Sequence, residues 1–199
     1  MKFLFSRRPL GSLGLGLLMA ALAATSAQAT VNTEACQTPE YFQAFSYAND
    51  SNWYTSVTGD TSDSFTGEGW TLSGGAKIVT TNLSDGATGQ VLDLPSGSQA
   101  VSPVICVTSL YPNARGIVRN VKGAEGVQFM VEYEGTKTWE RAKTTGQIHG
   151  SKSDWTLVNA VNIQPGKQSG WQPMRITLVP GGKTSEFQVY DLYIDPRMR

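Results

Sequence analysis

The stretch GEGWTLSGGAKIVTT, residues 67–81, sets one tryptophan among four glycines immediately ahead of a β-branched apolar run. A large ring beginning a strand buries much apolar area, so Trp70 reads as a packing anchor beside Leu72. Gly67-Glu68-Gly69 reads as a tight turn, and Gly74-Gly75 as a mid-strand bulge or a place where backbones approach closely. On this reading the segment opens a sheet protein.

The rest of the chain agrees. Apolar β-type runs recur at GQVLDLP (89–95), QAVSPVICV (99–107), RGIVRNV (115–121), GVQFMVEYE (126–134), DWTLVNAVNI (154–163), MRITLVP (174–180) and EFQVYDLYID (186–195). Gly, Pro, Ser, Asn and Asp clusters separate them, and no helical apolar spacing intervenes. About eight such strands at this density of turns predict an all-β domain of two packed antiparallel sheets, a jelly roll first and another β-sandwich second.

Alternation assigns faces. Val127, Phe129, Val131 and Tyr133 fall on one side of their strand, with Gln128, Met130, Glu132 and Glu134 on the other. Ile176 and Leu178 oppose Arg175 and Thr177, and Trp171 shares the Arg175 side. Two unpaired arginines are costly to bury, so Arg115 and Arg119 belong outside. The connection NVKGAEGVQ, residues 120–128, predicts a hairpin that brings Arg115 across from Glu134. That pair reads either as a solvated ion pair or as part of a polar platform, since guanidinium forks and carboxylates hold vicinal sugar hydroxyls.

The chain of 199 residues begins with a basic segment (Lys2, Arg7, Arg8) and a short apolar core, and Ala27-Gln28-Ala29 has the small residues of a cleavage site. The apolar core falls short of the roughly 20 residues that span a bilayer. Residues 1–29 are therefore expected to be a signal peptide, and residues 30–199 a single domain. Ser6-Arg7-Arg8-Pro9-Leu10 partly matches a twin-arginine signal, although Gly11 departs from it, so both export routes stay open. Removing residues 1–29 takes three basic side chains and no acid, leaving 13 basic against 16 acidic, a formal charge of −3. Scattered charges of this balance give no basic stripe for nucleic acid, and no membrane span is expected after cleavage. The two cysteines, Cys36 and Cys106, predict one disulfide in an oxidising compartment, with two buried thiols as the alternative.

Chemistry is sparse. His149 sits in a Gly/Ser-rich loop with no evident orienting acid, and no Cys/His cluster suits zinc. Glu132, Glu134, Glu140 and Asp154 could supply carboxylates, yet nothing pairs two of them. Trp139, Trp155 and Trp171, with Trp53 and Tyr54, lie in or beside polar sequence, where flat rings stack on sugars or are simply half-buried.

GWTLSGGAKIV, SPVICV, RGIVRN and WQPMRITLVPGG, with FQVYDLYIDP, resemble a family of uncharacterised secreted bacterial jelly-roll proteins, whose two cysteines Cys36 and Cys106 match. More distantly, the opening and closing strands resemble galactose-binding-like carbohydrate modules. That resemblance implies a structural calcium in some members, for which Asp191 is the one matching ligand, and Tyr190 replaces the usual first acid. The expectation is a secreted, non-catalytic domain that binds a glycan or a cell-surface component, needing no cofactor unless that calcium is present. Its candidate ligand-binding residues are Trp171, Trp139, Trp155, Arg115, Arg119, Glu132, Glu134 and Arg175. The alternatives are an extracellular glycoside hydrolase or polysaccharide lyase, and a structural or adhesion component of the envelope.

Overall fold

The structure is a computed structural model that describes residues 36, 40–61, 64–110, 112–123, 126–135, 138–141, 146–152, 154–164 and 170–196. The expected signal peptide lies outside them. After a 3-10 turn at Ser46–Ala48, the strands are β1 (Thr55–Ser56), β2 (Asp60–Thr61), β3 (Ser64–Phe65), β4 (Thr71–Ser73), β5 (Lys77–Asn82), β6 (Thr88–Pro95), β7 (Gln99–Val101), β8 (Ile105–Val107) and β9 (Asn113–Lys122). They continue with β10 (Val127–Glu134), β11 (Trp139–Arg141), β12 (Gly146–Ile148), β13 (Ser151–Lys152), β14 (Thr156–Leu157), β15 (Val161–Asn162), β16 (Gln172–Pro180) and β17 (Glu186–Asp195).

Two sheets form a jelly-roll sandwich. The first runs β5-β6-β17-β9-β13, with β1 also on β17 and β14 and β15 also on β9. The second runs β4-β7-β16-β10-β11, with β8 also on β16 and β12 on β10. Alternate residues of facing strands fill the space between them. Phe129, Val131, Met174, Ile176 and Leu178 come from the second sheet, and Leu92, Leu94, Val118, Phe187, Val189 and Ile194 from the first; all are buried. Val127 and Tyr133 are buried as their spacing predicts, with Gln128 exposed and Met130, Glu132 and Glu134 partly so.

The opening stretch does more than start a sheet. Trp70 is 9% exposed, packs 5.0 Å from the Phe65 ring, and its indole N–H donates to the Thr58 carbonyl at 2.8 Å. Gly74 and Gly75 are not mid-strand. They form the turn between β4, in the second sheet, and β5, in the first, so the chain changes sheets there. The close backbone approach expected of them is present at Gly74, where a Cβ would lie 2.3 Å from the Gly97 carbonyl oxygen.

The predicted hairpin between β9 and β10 does not form. β9 pairs with β17 in the first sheet and β10 with β16 in the second, so Arg115 and Glu134 lie on different sheets. Alternation reports which side of a strand is buried and is silent on the neighbour across the ladder. Cys36 and Cys106 form the expected disulfide, closing a separation of 70 residues. In the chain-entropy model such a loop contributes about 4 kcal/mol.

Candidate functional site

Each sheet turns an arginine–tryptophan pair outward. On the second sheet, β10 and β16 place Glu132 directly opposite Arg175, and Arg175 Nε donates to Glu132 Oε2 at 2.7 Å. The Arg175 guanidinium lies 4.5 Å from the centre of the Trp139 ring, which β11 brings alongside because Trp139 pairs with Glu134. Three strands therefore gather Trp139, Glu132, Glu134 and Arg175 on one face, with Met130 and Thr177 next along it. The ion pair is about one-third exposed, with side-chain values of 33% and 29%. Water screens such a pair, so its heads can exchange partners at little cost. Trp171 is half-buried one residue ahead of β16, in the same alternation row as Arg175, near the end where Pro173 pairs with Cys106.

On the first sheet, a polar row crosses four strands from β9 to β5. Arg119 donates to Gln188 Oε1, Gln188 Nε2 donates to Asp93 Oδ1 at 3.1 Å, and Lys77 lies 3.8 Å from Asp93 Oδ2. Arg119 Nη2 also donates to Thr81 Oγ1 at 3.0 Å, and its guanidinium lies 4.5 Å from the Trp155 ring centre. Trp155 is held by its N–H to the Asn82 carbonyl (2.8 Å) and by an edge contact with Tyr190 at 4.7 Å. Tyr190 in turn donates to Ser84 Oγ at 2.6 Å. A pocket of about 350 Å³ opens here, lined by Asn82, Leu83, Ser84, Arg119, Asp154 and Trp155. Asn82 and Ser84 carried no sequence signal, because the end of β5 and the turn after it reach the site only once β5 is paired.

Arg115 joins neither group. It is ion-paired to Asp50, donates to the Val158 carbonyl at 3.0 Å, and lies 5.2 Å from the Phe45 ring centre. Burial opposes the Asp50 charge, but donation from the Tyr54 hydroxyl and the Asn52 N–H, together with Arg115, holds its carboxyl below the usual range. Tyr54, which lies beside polar sequence, is fully buried against Phe45, with its hydroxyl donating to Asp50, whereas Trp53 is 48% exposed. The carboxylates are dispersed. Glu132 and Glu134 project from one strand, Asp154 belongs to the first sheet's pocket, and Glu140 stands opposite Tyr133. His149 is exposed.

Asp191, the residue that matches a calcium ligand of some carbohydrate modules, lies close to the buried Asp60. Among the described residues no three His, Cys, Asp or Glu side chains cluster as metal ligands. Asp191 occupies a bulge at φ +52°, and beneath it the buried Asp60 carboxylate accepts the Leu192 N–H. A carboxylate facing backbone N–H donors is set for hydrogen bonds, while a hard cation needs six or more oxygens converging on it. Asp60 Oδ2 is engaged by an N–H in this way, while its Oδ1 is buried with no hydrogen-bond partner among the described residues. Burial pushes the Asp60 carboxyl well above its usual 3.8, and the nearby Asp191 charge adds to this against the opposing N–H groups of Leu192, Asp191 and Thr61.

A folded carboxyl with a raised pKa binds its proton more tightly than the unfolded one. Its stabilising contribution is complete below the unfolded value, near pH 4, and is lost as pH rises towards the folded value. Stability relative to an Asp60→Asn variant should therefore be highest near pH 4 and decline towards pH 8. Urea unfolding of both proteins at pH 4, 6 and 8 measures this, and parallel pH profiles would show that Asp60 does not titrate with folding.

No protein-family model matches the chain, and no curated protein matches it. Among solved structures, the chain is similar to the family 22 xylan-binding domain of a Paenibacillus barcinonensis xylanase, with 14% identity, TM-score 0.46, and 66% of this chain and 88% of that one covered. It is also similar to the family 22 module with its catalytic partner from Clostridium thermocellum xylanase 10B, solved with xylohexaose, at 16% identity and TM-score 0.48, covering 66% and 26%. A family 61 carbohydrate-binding module solved with β-1,4-galactotriose gives 14% identity and TM-score 0.39, covering 69% and 90%. Each TM-score is below one half, so the fold assignment rests on the strand pairing described above.

Proposed function

We propose that this chain is a secreted, non-catalytic carbohydrate-binding domain, and that it binds through the outer face of the second sheet. The observation that supports this is the convergence of Trp139, Arg175 and Glu132 from three strands. A half-buried indole supplies a flat apolar wall for a pyranose. Beside it, a guanidinium and a carboxylate in a screened pair present planar donors and acceptors to adjacent hydroxyls. A binding role without hydrolysis also accords with the acids, because cleavage of a glycosidic bond needs two carboxylates flanking it from opposite sides, and Glu132 and Glu134 leave the same strand on the same side.

Affinity electrophoresis against xylan, galactan and mixed-linkage β-glucan tests the reading. Retardation by at least one neutral polysaccharide is expected, with affinity reduced about tenfold or more in Trp139→Ala at an unchanged melting temperature; tenfold corresponds to about 1.4 kcal/mol. Absence of retardation by every polysaccharide would refute the proposal. Equal retardation of the variant would remove Trp139 from the site.

A further inference from the structure

The pocket on the first sheet has a chemistry of its own. We infer that the Arg119–Trp155 pocket is a second glycan site that takes the carboxylate of an acidic sugar, a uronic acid residue, against the Arg119 guanidinium. Three observations carry this, and none depends on the second-sheet face.

The first is charge. Arg119 is partly buried, and its hydrogen-bond acceptors in the protein are neutral: the Thr81 hydroxyl and the Gln188 amide oxygen. Its Nε is buried without a partner among the described residues. The other two arginines with ion pairs differ, since Arg115 meets Asp50 and Arg175 meets Glu132 directly. Along the row, the single Asp93 carboxylate is reached by Gln188 on one side and Lys77 on the other. Asp93 is thus engaged by Lys77 and Gln188, and Arg119 has no carboxylate in direct contact, with Asp154 the acid on the rim of the pocket.

The second is geometry. Contacts with Thr81, Gln188 and the Trp155 face hold the guanidinium plane in one orientation. Both Nη2 hydrogens are taken by Thr81 and Gln188 and Nε is buried, so Nη1 is the donor left to meet a carboxylate, on a guanidinium fixed before binding and therefore losing less side-chain freedom than a mobile lysine would. Trp155 is itself pinned through Asn82 and Tyr190.

The third is the remaining lining. The Asn82 and Ser84 side chains offer an amide and a hydroxyl suited to sugar hydroxyls, and the volume of about 350 Å³ falls in the range of small-ligand sites. Asp154 is on the rim and opposes an anion, but it forms no ion pair with Arg119 and is exposed, where water and salt weaken its field. Its opposition provides a test.

Binding of oligogalacturonate, alginate oligosaccharide and glucuronoxylan oligosaccharide to the purified full chain, followed by calorimetry, would each be compared with the same oligosaccharide after reduction of its carboxyls to alcohols. At least one acidic probe should bind, weaken with added salt, and lose about tenfold or more on reduction, as expected for removal of a charge-assisted hydrogen-bonded pair. Arg119→Gln should abolish the preference for the acidic form. Asp154→Asn changes an exposed side chain, so the fold is not at stake, and it should tighten acidic binding about two- to fivefold by removing a repelling charge.

Failure of all three acidic probes to bind, equal binding of the reduced forms, or an Asp154→Asn affinity no tighter than the parent's would overturn the inference. So would a sulfated oligosaccharide of equal length binding as tightly as the uronate. Acidic binding lost in Trp139→Ala but kept in Arg119→Gln would place the ligand on the second sheet and overturn it as well.

Discussion

Replacing Trp70 by alanine should lower the stability of the domain by about 3–5 kcal/mol, the range for removing a large aromatic from a core. The ring is nearly inaccessible, sits 5.0 Å from Phe65, and donates its N–H to the Thr58 carbonyl at 2.8 Å. Truncation would leave a cavity between β3 and β4 and strip a carbonyl of its donor. The two losses differ in kind, so Trp70→Phe should separate them: it keeps most of the apolar volume and costs less, with about 1 kcal/mol of its deficit from the missing hydrogen bond. Urea denaturation followed by circular dichroism and fluorescence would measure both. A loss below about 1 kcal/mol in Trp70→Ala would contradict the role assigned to this ring as an anchor of the opening strand.

Gly74→Ala should cost about 2–4 kcal/mol through backbone alone. Gly74 has φ +62°, and a Cβ there would lie 2.3 Å from the Gly97 carbonyl oxygen and 2.9 Å from Ser98 Cα. Part of the cost is the left-handed conformation, and the rest is the collision between the β4–β5 turn and the β6–β7 turn. Gly97→Ala isolates the first part, since Gly97 has φ +81° and a Cβ there would meet nothing within 4 Å. It should cost about 1–2 kcal/mol. Equal melting temperatures for the two variants would show that the turns can separate without penalty, and that their contact does not hold the sheet crossing in place.

Both predictions concern residues whose importance is visible in the sequence, though for reasons only half visible there. Trp70 is an anchor because a large ring beside Leu72 ahead of an apolar run has few other uses. The Gly74–Gly75 pair announces close approach, but the partner is a carbonyl 23 residues further on, and the crossing between sheets left no local mark. The binding candidates divide in the same way. Trp139, Arg175 and Glu132 each read as outward-facing, yet 43 residues separate Glu132 from its ion-pair partner. Arg115 and Arg119 read identically in RGIVRN, two outward cations on one strand. What distinguishes them is Asp50, delivered to Arg115 by the N-terminal segment, and Gln188, delivered to Arg119 by the last long strand.

The core-facing side of β10, the pairing of the two cysteines and the all-β class were legible in the sequence. Hydrophobic alternation is a local consequence of the pleat, and two cysteines allow one intramolecular bond. Strand neighbours, the absence of a β9–β10 hairpin and the separation of two arginine–tryptophan pairs onto opposite faces emerged from the folded chain. Those depend on contacts between segments tens of residues apart, for which a period of two carries no information about the partner.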